Sequence, residues 1–214
     1  MIHLFDDREE RRKEYEVFLR KYKDFIQVTT FSSGVMDLES FILNTFQEND
    51  IVLLHYSYRF PIGNYGITDI LNAMKLLDIS IILFSGAFRQ ASIVSIPHRH
   101  YRLNSSIMYR NLQNYIRNKS KGNLPPLETL IWGENYVKNQ LLSLMFEITG
   151  MGCNVALDTI IASDDMEEVE FLIRERLNSK FLQEEMSGLI EFVEEESPKT
   201  YLEVLDKIQS LLKG

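Results

Sequence analysis

The stretch Asp50–Ser57, DIVLLHYS, decides the fold of this 214-residue chain. Its four apolar residues, Ile51 to Leu54, stand between an aspartate and His55. A short, continuous apolar run of this kind is typical of a strand that is buried on both faces, in the middle of a parallel sheet. In open parallel sheets the chemistry lies just outside the carboxyl ends of the strands. We therefore expect His55 to face any site that this sheet supports.

Strand and helix patterns alternate on both sides of this run. The predicted strands cover residues 2–5, 27–31, 51–56, 79–84 and 101–103, and the predicted helices cover 9–23, 37–47, 67–77 and 105–118. Residues 87–97 have little periodicity, so we expect only a short or irregular helix there. Five alternations in this length predict an α/β fold, a flavodoxin-like, doubly wound sheet of five parallel strands.

The second half of the chain has a different pattern, because its period is helical throughout. The predicted helices cover about 128–148, 155–162 and 164–177, then a segment to about Glu196, and a last helix that begins at Ser197-Pro198. Residues 119–127, KSKGNLPPL, have the composition of a linker. We therefore predict an α/β domain over 1–118, a linker over 119–127 and a small all-α module over 128–214.

Charge separates the two halves and limits their functions. Residues 1–124 carry 16 Lys and Arg against 13 Asp and Glu, whereas residues 125–214 carry 7 against 18. A helical module with a charge of −11 is unsuited to nucleic acid, which requires a basic face. One cysteine, Cys153, a first strand at residue 2 and the lack of a long apolar run indicate a cytoplasmic protein without a signal peptide or membrane span.

Polar residues follow several of the predicted strands. Asp6 and Asp7 come after the first strand, Ser85 follows the fourth, and Tyr101 stands three residues before Asn104 at the fifth. Over about residues 1–118 this arrangement resembles the receiver domain of two-component response regulators. The resemblance implies that Asp6 and Asp7 occupy the positions of the Mg²⁺ ligands, Ser85 that of the phosphoryl-binding hydroxyl, and Tyr101 that of the aromatic switch.

Two departures from that family fall on its most important residues. His55 stands where the family has its phosphoacceptor aspartate, and Asn104 stands where it has a lysine that binds the phosphoryl group. Loss of one anion and one cation together preserves the local charge, which indicates a site that diverged as a unit. We therefore predict a pseudo-receiver, a phosphorylation-independent and non-enzymatic signalling protein without a catalytic residue, in which Asp6 and Asp7 hold at most a weak Mg²⁺.

Several alternatives remain open for these residues. His55 could carry a phosphoryl group, which would make the chain an atypical response regulator, or it could bind a transition metal with Asp6 and Asp7. A simpler expectation is a half-buried histidine that is hydrogen-bonded to an aspartate, which would raise the pKa of His55 above about 6.5. The weakest alternative is a metal- or small-molecule-binding enzyme, because no glycine-rich phosphate loop is present.

The same charge pattern predicts which surfaces of the chain contact protein partners. Residues 88–121 hold most of the net positive charge of the first half, including the basic stretch 97–102, PHRHYR, which we expect to form a solvated loop. This region corresponds to the face that receivers use for association. We therefore expect protein partners, no nucleic acid or membrane, and a homodimer in which the acidic module of one copy meets the basic region of the other.

Overall fold

The computed structural model describes residues 1–30, 37–59, 65–89, 91–95, 99–152, 163–177 and 185–213. It divides into two compact units, Met1–Ile131 and Trp132–Gly214. The division falls shortly after the predicted linker at 119–127. The first unit contains the sheet, and the second contains helices.

A six-stranded sheet forms the centre of the first unit. Its strands are β1 (Ile2–Phe5), β2 (Ile26–Val28), β3 (Ile51–His55), β4 (Ser80–Ser85), β5 (Ser92–Ser95) and β6 (His100–Asn104). The spatial order is β2-β1-β3-β4-β6-β5, and every pair except β5 with β6 is parallel. The five predicted parallel strands are thus confirmed, in the flavodoxin-like order. All five residues of β3 are buried, as its continuous apolar run predicts.

Helices flank this sheet, and four of them lie close to the predicted ranges. The first unit contains α1 (Glu9–Lys21), α2 (Leu38–Thr45), α3 (Ile67–Met74) and α4 (Ser105–Ser120), followed by α5 (Leu127–Trp132). Asp37 caps α2 by accepting hydrogen bonds from two backbone N–H groups. The apolar face of α4 is buried, with Met108, Leu112, Tyr115 and Ile116 among its enclosed residues. No residue of α1 is fully enclosed.

The sheet forms one continuous core with α2 and α3. Side chains that alternate along β1, β3 and β4 pack against the apolar faces of these two helices. The principal members are Phe5, Leu38, Ile42, Val52, Leu54, Ile70, Met74, Ile81 and Leu83. This packing fixes the strands, and with them the residues that follow their carboxyl ends.

The helix expected within 87–97 is absent from its described residues, which include strand β5. This strand pairs antiparallel with β6 and contains a bulge between Ile93 and Ser95. The prediction was wrong because a run of only four residues, with β-branched Ile93 and Val94 between serines, is too short to show a period.

The basic stretch 97–102 is also not the solvated loop that we expected. His100 is buried in β6, and Arg99 has φ 47° and pairs with Asp78 at 3.7 Å. Arg102 is exposed, and its guanidinium lies over the Phe88 ring at 5.8 Å. His98 lies outside the described residues.

The second unit contains helices that differ in their bounds from the predicted ones. They are α6 (Tyr136–Gly152), α7 (Ser163–Leu177), α8 (Ser187–Glu191), which continues into a π-helical turn (Phe192–Glu196), and α9 (Tyr201–Lys213). The single helix predicted over 128–148 is broken into α5 and α6, because Gly133 adopts φ 86°. The last helix begins at Tyr201 rather than at Pro198.

Two further expectations are a helix over 155–162, before α7, and the lack of a membrane span in the chain. The predicted helix at 155–162 lies outside the described residues. Within the described ranges, no helix is both long and apolar enough to cross a membrane.

Asp50 organises the amino-terminal edge of the sheet. It is 4% exposed and accepts hydrogen bonds from the Met1 ammonium, from His3 Nε2 at 3.1 Å and from the Gln47 N–H at 2.9 Å. Burial alone would raise the pKa of Asp50, but these donors and the charge of the ammonium lower it. Thr29 completes the cluster by bonding His3 Nδ1 at 3.1 Å. One carboxylate therefore joins the start of β1 to the turn before β3.

We expect Asp50→Ala to destabilise the protein by about 3 kcal/mol, because the substitution leaves buried donors without an acceptor. Denaturant unfolding of the full chain measures this difference. The matched control is Asp24→Ala at an exposed position, which should change the free energy of unfolding by less than about 0.5 kcal/mol. Equal effects of the two substitutions would contradict the role of Asp50.

Candidate functional site

The carboxyl ends of four parallel strands bring most of the predicted site residues to one edge of the sheet. The register places Phe5 beside Leu54, His55 beside Phe84, and Ser85 beside Asn104. Since Asp6 and Asp7 follow β1 directly, they lie next to His55 at the end of β3. Strand order reverses between β1 and β3, and doubly wound sheets bind ligands at such a switch point.

Asp6 is completely enclosed and fully engaged by this chain's own groups. Its side chain is 0% exposed. Oδ1 accepts hydrogen bonds from the Arg8 N–H at 2.9 Å and from Arg11 at 3.0 Å, and Oδ2 accepts one from the Tyr109 hydroxyl at 2.7 Å. The same Arg11 donates to the Ser105 hydroxyl at 2.9 Å. An arginine therefore neutralises the carboxylate that the resemblance assigns to Mg²⁺.

His55 is buried and pairs with the second aspartate. Its Nδ1 lies 2.9 Å from Asp7 Oδ1, and its side chain is 4% exposed. Because a carboxylate only accepts hydrogen bonds, Nδ1 carries the proton and Nε2 is the other ring nitrogen. The expected aspartate contact is thus present, but the expected direction of the pKa is wrong. Burial lowers the pKa of His55, and the Arg11 charge adds to this effect, against the opposing contributions of Asp7 and Asp6.

Ser85 and Asn104 hold the backbone of the loop that follows β4. The Ser85 hydroxyl accepts a hydrogen bond from the Ala87 N–H at 3.2 Å. Asn104 donates to the Phe88 carbonyl at 2.8 Å, and its side-chain oxygen caps α4 by accepting from the Ser106 N–H at 2.9 Å. Asn104 thus has a local structural role at the position where the receiver family has its lysine.

Tyr101, the predicted aromatic switch, lies within the core. It is 5% exposed in β6, and burial raises the pKa of its hydroxyl, with a further contribution from the Glu128 carboxylate. A switch of the receiver type requires an aromatic ring that alternates between inward and outward positions. The structure places this ring inward, whereas Asp6, Asp7, His55, Ser85 and Asn104 lie at the carboxyl edge.

The carboxyl edge is poorly suited to Mg²⁺. One ligand atom from each of Asp6, Asp7 and His55 lies within 4.8 Å of the others. However, the oxygens of Asp6 already accept three hydrogen bonds, one of them from Arg11. Mg²⁺ requires oxygen ligands in near-octahedral geometry, and here it would have to displace a guanidinium. The third potential ligand is a histidine nitrogen rather than a carboxylate oxygen, which is a further mismatch with Mg²⁺.

A cavity of about 430 Å³ opens beside His55 at this edge. Its lining combines groups from three segments of the chain: Arg8, Glu10 and Arg11 after β1, His55 and Ser57 at the end of β3, and Ser85, Gly86 and Ala87 at the end of β4. We call this space the edge cavity. Asp6 is not among the lining residues, because its carboxylate is covered by the groups that bond it.

Comparisons of the chain with protein-family models, curated proteins and solved structures gave no match. The resemblance to receivers therefore depends on the residues quoted above.

Three contributors to this edge were missed by the sequence argument. Arg11 stands in the first turn of the first predicted helix, where nothing in the sequence distinguishes it from the neighbouring charged residues. Tyr109 lies three residues before Leu112, on the same face of α4, so helical periodicity could have identified it. Ser57 stands two residues after His55, and no pattern in the sequence distinguishes it from other loop serines.

The lowered pKa of His55 predicts the pH dependence of stability. A histidine that binds its proton less tightly in the folded chain contributes a penalty at low pH, and this penalty disappears as the pH rises through about 6.5. We therefore expect the stability of the wild type relative to His55→Gln to increase between pH 5 and pH 8. Denaturant melts at both pH values measure this difference.

His3 serves as an internal control for this comparison. Burial also lowers the pKa of His3, but that residue is present in both proteins and cancels in the difference. A relative stability that decreases toward pH 8 would show that Asp7 dominates and raises the pKa of His55.

Proposed function

We propose that this chain is a non-enzymatic regulatory protein, a pseudo-receiver that acts through protein contacts and without phosphorylation. The observation that carries this proposal is the internal neutralisation of the carboxyl edge. Arg11 pairs with Asp6, and His55 pairs with Asp7. In this arrangement the groups that a receiver would offer to a cation and a phosphoryl group are already bonded to one another.

The chemistry of phosphoryl transfer supports the same proposal. A receiver requires an aspartate as nucleophile and a cation that neutralises the charge on the transferred group. Position 55 is a histidine, position 104 is an asparagine engaged with the Phe88 carbonyl, and Arg11 is committed to a buried carboxylate. The remaining features of the fold, a rigid parallel sheet with flanking helices, suit a protein that presents surfaces.

The first test is chemical. We expect the full chain, incubated with Mg²⁺ and acetyl phosphate or phosphoramidate, to gain no phosphoryl group in intact-mass spectra recorded at neutral pH. His55→Asp should also remain unmodified, because no lysine is present at position 104 to bind the phosphoryl oxygens. A phosphoryl adduct on the wild type that disappears in His55→Gln would instead favour an atypical phosphoacceptor.

Association between copies is the second part of the proposal, and charge supports it. Residues 88–121 contain seven Lys and Arg and no Asp or Glu. Arg102, Arg110 and Arg117 are exposed on β6 and α4. The Trp132–Gly214 unit exposes carboxylates at Glu167, Glu168, Glu191, Glu194, Glu195 and Glu196. We propose a cytoplasmic homodimer in which the acidic unit of one copy contacts the basic face of the other.

A charge exchange between copies tests the dimer. We expect Arg110→Glu with Arg117→Glu to convert the full chain to a monomer in sedimentation at low salt, and Glu194→Lys with Glu195→Lys to do the same. An equimolar mixture of the two variants should restore association, because the reversed charges again complement each other. A wild-type chain that stays monomeric at tens of micromolar, or a mixture that does not associate, would contradict this surface.

A further inference from the structure

We propose that the edge cavity binds a small phosphate ester that also carries hydroxyl groups, and that it binds this ligand reversibly, without covalent attachment. This inference rests on the proposed function, because it gives the regulatory protein a ligand in place of a phosphoryl modification. The volume of about 430 Å³ lies within the range of roughly 300–1,000 Å³ that is typical of small-molecule sites. It also lies at the switch point of the sheet, where such sites are expected.

The donors of the cavity define the anionic part of the ligand. Arg8 provides a planar guanidinium group, which recognises phosphate and carboxylate oxygens by paired hydrogen bonds. Arg11 also lines the cavity, but it already donates to Asp6 and Ser105. The hydroxyl groups of Ser57 and Ser85 add donors from the ends of two strands, β3 and β4. Donors that converge from three segments of the chain suit the tetrahedral oxygens of a phosphate better than the two coplanar oxygens of a carboxylate.

The acceptor of the cavity defines the hydroxyl part of the ligand. Because Asp7 holds Nδ1 of His55, the ring presents Nε2 as its second nitrogen, and the ring lines the cavity. The neutral imidazole accepts a hydrogen bond at that nitrogen. Inorganic phosphate in its dianionic form, HPO4²⁻, has a single P–OH, which belongs to the same phosphate that the arginine and the serines bind. A hydroxylated ester instead offers the histidine a hydroxyl that is separate from its phosphate. The histidine therefore favours a hydroxylated ester over the free ion.

The carboxylates near the edge cavity determine which cationic residue attracts an anionic ligand. Asp6 is covered and paired with Arg11, so the charge of that arginine is largely compensated. Asp7 is paired with His55, and Glu10 lines the cavity and repels an anion. The exposed Arg8 is the cation with no carboxylate partner among the described ion pairs of this edge. Arg8 should therefore control affinity, and Glu10 should oppose it.

The test is calorimetric titration of the full chain at constant ionic strength with glycerol 3-phosphate, inorganic phosphate, glycerol and glycerate. We expect saturable binding that is tightest for glycerol 3-phosphate, weaker for inorganic phosphate and undetectable for glycerol. Binding of glycerate that equals binding of glycerol 3-phosphate would overturn the assignment of phosphate. Lack of saturable binding of glycerol 3-phosphate would overturn the inference as a whole.

Two substitutions that should change the affinity in opposite directions distinguish loss of ligand recognition from general damage to the fold. Arg8→Gln should weaken binding of glycerol 3-phosphate about tenfold or more, since a hydrogen bond to a charged group is lost. Glu10→Gln should strengthen it roughly two- to fivefold, since an exposed repelling charge is removed. Arg20→Gln, on the same helix and 73% exposed at its side chain, is the matched control and should change nothing. Identical effects of Arg8→Gln and Arg20→Gln would contradict the site.

Two further measurements keep this inference distinct from the proposed function. His55→Gln should reduce the preference for glycerol 3-phosphate over inorganic phosphate, and an unchanged preference would contradict the role of Nε2. Intact mass recorded after each titration shows whether the ligand has transferred its phosphoryl group. A covalent adduct would overturn the proposed function, whereas a lack of binding with an unmodified mass would overturn only this inference.

Discussion

The contact between Asp6 and Arg11 is the constraint on which the carboxyl edge depends. A carboxylate with 0% exposure requires compensation, since a buried and unpaired charge costs several kcal/mol. Arg11 provides the charge, and the Arg8 N–H and the Tyr109 hydroxyl fill the remaining acceptor positions. These donors come from α1 and α4, so a single carboxylate ties two helices to the end of β1. The carboxylate that would bind a cation in a receiver-like site is therefore occupied by contacts within the fold.

His55 completes this arrangement at the neighbouring strand. Its ring is enclosed beside Phe84, with ring centroids 5.3 Å apart, and its proton is directed to Asp7. Burial and the Arg11 charge favour the neutral ring, which leaves one nitrogen able to accept a hydrogen bond. The edge therefore combines Arg11, whose charge is compensated by Asp6, with one neutral acceptor.

The fold could be read from the sequence because its strands are buried on both faces and therefore appear as continuous apolar runs, as at Ile51–Leu54. The edge strand β5 could not, since four residues give no period and an antiparallel edge needs no crossover helix. Asp6, Asp7 and His55 were predicted because they lie at or directly after the carboxyl ends of strands. Arg11 and Tyr109 were not, because their roles depend on where α1 and α4 pack. The pKa of His55 was misjudged because the sequence indicates its partner but not its burial.

The most direct measurement of the central claim is a Mg²⁺ titration of the ¹⁵N-labelled full chain, followed by NMR at the Arg11 side chain and at the backbone of Asp6 and Asp7. If Arg11 takes the place of a cation, millimolar Mg²⁺ should leave these resonances unchanged. The same titration of Arg11→Gln should produce saturable shifts at Asp6 and Asp7, because the substitution removes the charge that excludes the ion. Saturable shifts in the wild type, with displacement of the Arg11 resonance, would contradict the account.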